Sequence, residues 1–273
     1  MSTETKKHLD TEKVKQYWEE RAKEFAGNPD ATTNDVYLRE LEAHTLIDQI
    51  AALHLPDGSE VLDVGCGNGY TLLIIAEYFQ NLRFTGVDYS DAMIDSANAL
   101  LGAKEHMQGR VSFMTGDVTR LELSIEERHF DCIMSDRCLI NLASFDVQAE
   151  AIGALSKHLK KGGHFIAIEN FMEGQRELNE ARAALDLPEI PVRWHNIFFN
   201  EDEFMAVCRK YFEDVRIHEF ASSYYFATRV IYSGMCKMQG IEPDYRHEIH
   251  QLAVKLPVSG RFCPIRMAVM KLK

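Results

Sequence analysis

The stretch Val61-Leu62-Asp63-Val64-Gly65-Cys66-Gly67-Asn68-Gly69-Tyr70 constrains this chain more than any other. An apolar β-run passes straight into a turn with three glycines and then into the helix-length segment Tyr70 to Phe79. Glycine tolerates positive φ and carries no side chain, so a ligand can lie against bare main chain at the carboxyl end of such a strand. The turn reads GxGxG. A dinucleotide fingerprint, GxGxxG, would need its third glycine where Tyr70 stands. Asp63, two residues before the first glycine, would repel a pyrophosphate and hold a cationic ligand.

Around this turn the chain alternates. The β-rich runs Glu60 to Val64, Arg83 to Asp88, Val111 to Asp117, Phe130 to Asp136 and His164 to Asn170 are separated by amphipathic stretches, among them Tyr70 to Phe79, Ala92 to Leu101 and Phe145 to Leu159. This pattern predicts an α/β fold with a mostly parallel sheet. Two more strands are expected at Asp214 to Ala221 and Arg266 to Lys273, making seven. Two helices, about Thr11 to Phe25 and Asp35 to Leu53, precede the sheet. The segment Met172 to Asn200 separates the fifth strand from a helix starting near Glu201. Residues Ser222 to Phe262 read as helix, Pro-containing turn and helix, too long for bare loop, so they are expected to pack as a cap near the site. The chain is read as one domain, with residues 1–54 as helical cover, 55–221 and 262–273 as core sheet, and 222–261 as the cap insertion.

The bulk numbers narrow the partners. Lys and Arg number 30 against 42 Asp and Glu, a net charge of −12 with both signs mixed along the chain. That opposes a phosphate-tracking face and turns the expectation away from nucleic acid toward small molecules. No apolar run approaches the length of a membrane span and MSTETKKHLDTEK has no signal-peptide character, so a cytoplasmic location is expected. Cys66, Cys132, Cys138, Cys208, Cys236 and Cys263 show no CxxC or Cys/His ligand spacing, which suggests reduced thiols and no metal site. A homodimer is left open.

DVGCGNG resembles motif I of the class I S-adenosylmethionine-dependent methyltransferases, and three further segments resemble that family in the same order. Asp88 ends the second strand about 20 residues after the turn, where an acid would grip both ribose hydroxyls; Gly116-Asp117-Val118 ends the third and is similar to the adenine clamp. Leu159-Lys160-Lys161-Gly162-Gly163 resembles the LKPGG turn, with Lys161 in place of proline. The resemblance covers roughly residues 60 to 170. It implies a Rossmann-like methyltransferase fold with a doubly wound sheet and S-adenosylmethionine as cofactor, a sulfonium without phosphate that suits Asp63. It also implies cofactor contacts from Asp63, Gly65, Cys66, Gly67, Asp88, Gly116, Asp117 and Val118, with Tyr89 and Met93 beside the base. Ser135 and Arg137, at the end of the fourth strand, would face the methionine moiety. Ser90 or Asp91 capping a helix, with Met93 in the core, is the plainer account of that segment. The segment after Asp136 lacks the NPPY or DPPY signature of base-modifying methyltransferases, which argues against nucleobase acceptors.

Outside that region the assignments rest on position. The resemblance places N-terminal helices over the cofactor with a Tyr or Arg near its carboxylate, which selects Tyr17 and Arg39; a charged solvent face with a buried aromatic is the competing account. Methyl transfer is an in-line displacement, so positioning and exclusion of water supply much of the rate, and a base is needed only for a hydroxyl or protonated amine. His195, in the aromatic stretch Arg193 to Phe199, is the first candidate base, with Glu169 and Asp136 at strand ends as the others. A packing role for His195 is the alternative. Asn170, His195, Asn196, Tyr224 and Tyr225 are expected on the acceptor, although Tyr224, Tyr225 and Tyr232 also suit a cap core. The expected activity is transfer of a methyl group to oxygen or nitrogen of a small molecule, a sugar or specialised metabolite. Two alternatives are a methyltransferase of protein or RNA and a non-catalytic protein that binds the cofactor.

Overall fold

The structure, a computed structural model, describes residues 8–25 and 28–273. Its strands are β1 (Glu60–Val64), β2 (Arg83–Asp88), β3 (Val111–Thr115), β4 (Phe130–Asp136), β5 (Leu159–Asn170), β6 (Phe212–His218) and β7 (Ile265–Leu272). They form one sheet in the order β3-β2-β1-β4-β5-β7-β6, in which β7 runs antiparallel to both neighbours. The pairs β1/β2, β1/β4, β2/β3 and β4/β5 are parallel. Strand order reverses between β1 and β4, and in open sheets of this kind the crevice outside those carboxyl ends is where ligands bind.

The helices are α1 (Thr11–Phe25), α2 (Val36–Ala52), α3 (Tyr70–Tyr78), α4 (Asp91–Gly102), α5 (Glu122–Ile125), α6 (Phe145–Lys157), α7 (Met172–Ala183), α8 (Glu201–Tyr211), α9 (Ser222–Tyr225), α10 (Tyr232–Gln239) and α11 (Ile249–Ala253). A π-helical stretch, Phe226–Ile231, joins α9 to α10. The central strands are apolar on both faces because both are covered. Val61, Cys132, Met134, Ile166 and Ile168 pack with α2, α3 and α4, while Leu62, Ile133, Phe165 and Ala167 pack with α6 and α8. No helix among the described residues is long and apolar enough to cross a membrane.

Several boundaries differ from the sequence expectation, each for a local reason. β3 stops at Thr115, because Asp117 leaves the sheet to cap a short 3-10 turn, accepting from the Thr119 amide. β5 starts earlier than His164, since Leu159 pairs with Phe130 before a register shift around Gly162, whose φ is 74°. α6 stops two residues early, with His158 as its cap. β6 lies at Phe212–His218 rather than Asp214 to Ala221, its ladder with β7 broken between Glu213 and Arg216, where Asp214 has φ 52°.

Where β5 hands over to α7, main chain meets main chain. The Phe171 amide donates to the Pro264 carbonyl at 2.7 Å, and a Cβ at Gly174 would collide with the Cys263 carbonyl. In a free helix alanine would gain about 1 kcal/mol over glycine, but an overpacked contact that only backbone can relieve costs about 1–3 kcal/mol. Gly174→Ala is therefore expected to lower stability in urea unfolding by up to about 2 kcal/mol; a raised midpoint would contradict this packing.

Candidate functional site

The turn after β1 hangs on the end of β2. The amides of Gly65 and Cys66 donate to the Val87 carbonyl at 2.7 and 3.1 Å, and Gly65, Gly67 and Gly69 adopt φ of 72°, 54° and 72°. A side chain at Gly65 would strike Cys138, and one at Gly67 would press on Thr32. Asp88 ties the construction together: its carboxylate accepts from the Gly67 amide on one oxygen and the Ser90 amide on the other, each at 2.9 Å. Ser90 in turn caps α4 through the Met93 amide. Burial pushes the Asp88 carboxyl up to about 6, against the pull of the two amides.

A cavity of about 580 Å³ opens in front of this turn, within the range of about 300–1,000 Å³ that buries a ligand of cofactor size. Gly65, Gly67, Asp88, Tyr89, Met93, Gly116, Asp117 and Val118 line one part of it. Asp136, Arg137, Asn170, His195, Asn196 and Tyr225 line the rest, so these two groups of expected site residues share one space.

Two covers partly close the cavity. Thr11, Val14 and Trp18 of α1 lie on it; Trp18 donates from Nε1 to Asn141 Oδ1 at 3.0 Å, and the Leu9 amide donates to the Ala143 carbonyl at 2.8 Å. From the other side the segment between β6 and β7 brings in Tyr225, Arg229 and Tyr245. Gln175, Leu178, Ile190 and Pro191 complete that end.

Seven expected residues do not line the cavity, and each is described by what it touches. Tyr17 stacks on His195 with centroids 4.6 Å apart, behind the lining. Arg39 is buried with its guanidinium 4.6 Å over the Tyr70 ring. Cys66 is buried on the inner side of the turn, against Gly86. Asp63 lies buried beneath the turn; burial raises its pKa well above the usual carboxylate range, and Asp136 and Asp88 raise it further. The Ser135 hydroxyl donates to Glu169 at 2.9 Å. Glu169 is fully buried and also accepts from the Leu139 and Ile140 amides at 3.0 and 3.3 Å, so it pins the turn after β4 instead of meeting a substrate. Burial lifts it to about 8. Tyr224 donates to Asp35 at 2.6 Å and has His250 Nδ1 at 2.7 Å, within the cap.

Arg137 meets the cavity in a constrained state. Its φ is 54° and its guanidinium holds the buried Glu42 through two nitrogens at 3.0 Å each, with Asp136 at 3.6 Å. Sequence reasoning missed Trp18, Asp35, Asn141, Gln175, Arg193, Arg229 and Tyr245. For Trp18 a signal existed: Thr11, Val14 and Trp18 follow the i, i+3, i+7 spacing of one helix face, which Tyr17 does not share. Arg229 and Tyr245 lie in a segment without a recognisable motif.

A mostly parallel α/β sheet with a cofactor-sized cavity at its reversal point, floored by a glycine turn and an acid at each neighbouring strand end, defines a nucleoside-binding protein of Rossmann-like fold. The methyltransferase-domain family model matches residues 55–200. A relative, the malonyl-acyl-carrier-protein O-methyltransferase of Priestia megaterium, is 30% identical over 202 residues, 72% of this chain and 69% of its own length. The protein-lysine N-methyltransferase EFM4 of Saccharomyces cerevisiae is 26% identical over 176 residues, 58% of this chain and 76% of its own. The fold is shared with magnesium protoporphyrin IX methyltransferase of Synechocystis PCC 6803, solved with bound S-adenosylhomocysteine, at TM-score 0.62 and 14% identity over 97% of this chain and 100% of that one. This chain belongs to the class I S-adenosylmethionine-dependent methyltransferases.

The residues fit that cofactor. The bare backbone of Gly65 and Gly67, the Asp88 carboxylate and the apolar Met93 and Val118 present what a nucleoside without phosphate needs. As the expected ribose ligand Asp88 would accept best when ionised, so affinity is expected to fall as pH drops through its pKa. Calorimetric titration with S-adenosylhomocysteine is expected to give a steady Kd above pH 7 and a loss approaching about tenfold per pH unit well below 6. A Kd that does not change between pH 7 and 5 would contradict this. Asp88→Ala removes two hydrogen bonds to a charged acceptor, about 3 kcal/mol or roughly a hundred-fold in Kd; unchanged affinity would take Asp88 off the ribose.

Proposed function

We propose that this enzyme moves the methyl group of S-adenosylmethionine to an oxygen or nitrogen atom of a small molecule, a sugar or specialised metabolite. The observation that carries this reading is the covered cavity: cofactor-side residues and the polar group Asn170, Gln175, His195 and Asn196 line one space roofed by α1 and the cap. A covered cavity suits a compact acceptor, and the net charge of −12 disfavours a polyanion. Six unpaired cysteines suit a cytoplasmic location.

When bound, the cofactor supplies an electrophilic methyl on a sulfonium. The work of the protein is to hold the acceptor in line with it and keep water out, for which α1 and the cap serve. Asn170 and Asn196 orient the acceptor by hydrogen bonding. His195 takes the proton from an acceptor hydroxyl or ammonium, and the stacked Tyr17 ring fixes the plane of its imidazole. Asp136 lines the same space, and burial raises its pKa against the pull of Arg137 at 3.6 Å, so it remains the second candidate proton acceptor.

The reading is tested by methyl transfer across a panel of sugars, phenols and amines. With an accepted substrate, His195→Gln is expected to lower kcat by about 10²–10⁴ and to remove the acidic limb of the pH–rate profile, with S-adenosylhomocysteine affinity kept. An unchanged pH profile would leave His195 as packing. Turnover confined to proteins or protein-bound acceptors would overturn the small-molecule reading.

A further inference from the structure

Arg229 is placed by an uncommon piece of backbone. It sits in the π-helical stretch Phe226–Ile231, and such stretches are rare and occur frequently at functional sites. Its side chain is only 12% exposed, yet it lines the cavity together with Tyr225 and Tyr245. The guanidinium carbon lies 4.6, 5.3 and 5.9 Å from the ring centroids of Tyr245, Tyr225 and Tyr224, an aromatic cage that keeps it from bulk water.

A guanidinium has five N–H donors. In Arg229, one nitrogen donates to Asp35 Oδ2 and another to Thr228 Oγ1 at 3.1 Å; the other three donors have no acceptor among the described residues. Tyr225 also lines the cavity, and its hydroxyl makes no hydrogen bond among the described residues. Asp35 is otherwise occupied. Its Oδ1 caps α2 through the Leu38 amide at 3.1 Å and accepts from Tyr224 at 2.6 Å. Arg137 differs from Arg229 in that Glu42 holds it on two nitrogens.

A caged cation with unmet donors beside an unmet hydroxyl matches the planar, two-oxygen geometry of a carboxylate. Resting on the cofactor reading of the cavity, we propose that Arg229 and the Tyr225 hydroxyl form a carboxylate-binding subsite on the cap side, with Asp35 as the internal counter-ion that engages the guanidinium until a ligand carboxylate arrives. The carboxylate belongs either to the amino-acid end of the cofactor or to the methyl acceptor. The chemistry is the same, and the sources are separable.

The test is calorimetry on the full chain with three probes: S-adenosylhomocysteine, 5′-methylthioadenosine, which keeps the nucleoside thioether but has no carboxylate, and malonate or succinate added to protein saturated with S-adenosylhomocysteine. Arg229→Gln should leave 5′-methylthioadenosine binding within twofold. It should weaken by at least tenfold either S-adenosylhomocysteine, if the carboxylate is the cofactor's, or the dicarboxylates, if it is the acceptor's. Asp35→Asn, which retains an oxygen for Leu38 and Tyr224, should tighten the same ligand several-fold by releasing Arg229; a cap merely loosened would bind it more weakly. The subsite is overturned if Arg229→Gln alters neither carboxylate ligand, or weakens 5′-methylthioadenosine as much as S-adenosylhomocysteine. Failure of S-adenosylhomocysteine to bind the unaltered protein would instead overturn the cofactor reading, and the subsite with it.

Discussion

Everything at the carboxyl edge of the sheet depends on the bridge that Asp88 makes. Its two oxygens hold the Gly67 and Ser90 amides, so one carboxylate joins the turn after β1 to the end of β2 and to the start of α4. An acid placed there is costly, and the cost shows as a carboxyl pushed up to about 6 by burial. The amides offset part of that cost, and the lone pairs they do not use remain free to accept from a ligand. Asp63, Asp88 and Asp136 crowd around the same turn, each raised by burial, and a positively charged nucleoside arriving there would favour their ionised forms.

The bridge alone makes an open shelf; a reaction that must exclude water needs a roof, and the chain supplies it from two remote places. α1 is fastened by Trp18 to Asn141 and by the Tyr17 ring on His195, so the cover and the candidate base are held by the same contacts. The cap is fastened through Asp35, which receives Tyr224 and Arg229 from the cap while capping α2. Both fastenings end on residues that themselves line or adjoin the cavity. A ligand in the cavity would thus meet side chains that also fasten the covers.

The parts that could be read from the amino-acid sequence are those in which local chemistry and position coincide. The glycine turn, Asp88 and Gly116-Asp117-Val118 are strand-end features whose residue types follow from backbone approach and hydrogen bonding. The structure finds them on one cavity. Glu169 illustrates the limit: an acid at the end of β5 looks available for catalysis, but whether it faces ligand or a neighbouring turn depends on the three donors of Ser135, Leu139 and Ile140, which only the folded loop brings to it. Arg39 and Tyr17 went astray by a helical rotation, since adjacent positions on a helix face directions about 100° apart. Arg229 was illegible because its direction comes from a π-helical register that no composition signals.

The claim at the centre of this account is that one covered cavity holds the nucleoside on Asp88 and directs the transferred methyl toward the space lined by Asn170 and His195. A crystal structure with S-adenosylhomocysteine tests it most directly. The account predicts both ribose hydroxyls on the Asp88 carboxylate, adenine against Met93 and Val118, and the sulfur facing the His195 side of the cavity beneath α1. A ribose bound away from Asp88, or a sulfur turned toward open solvent with the His195 side sealed off from it, would contradict it.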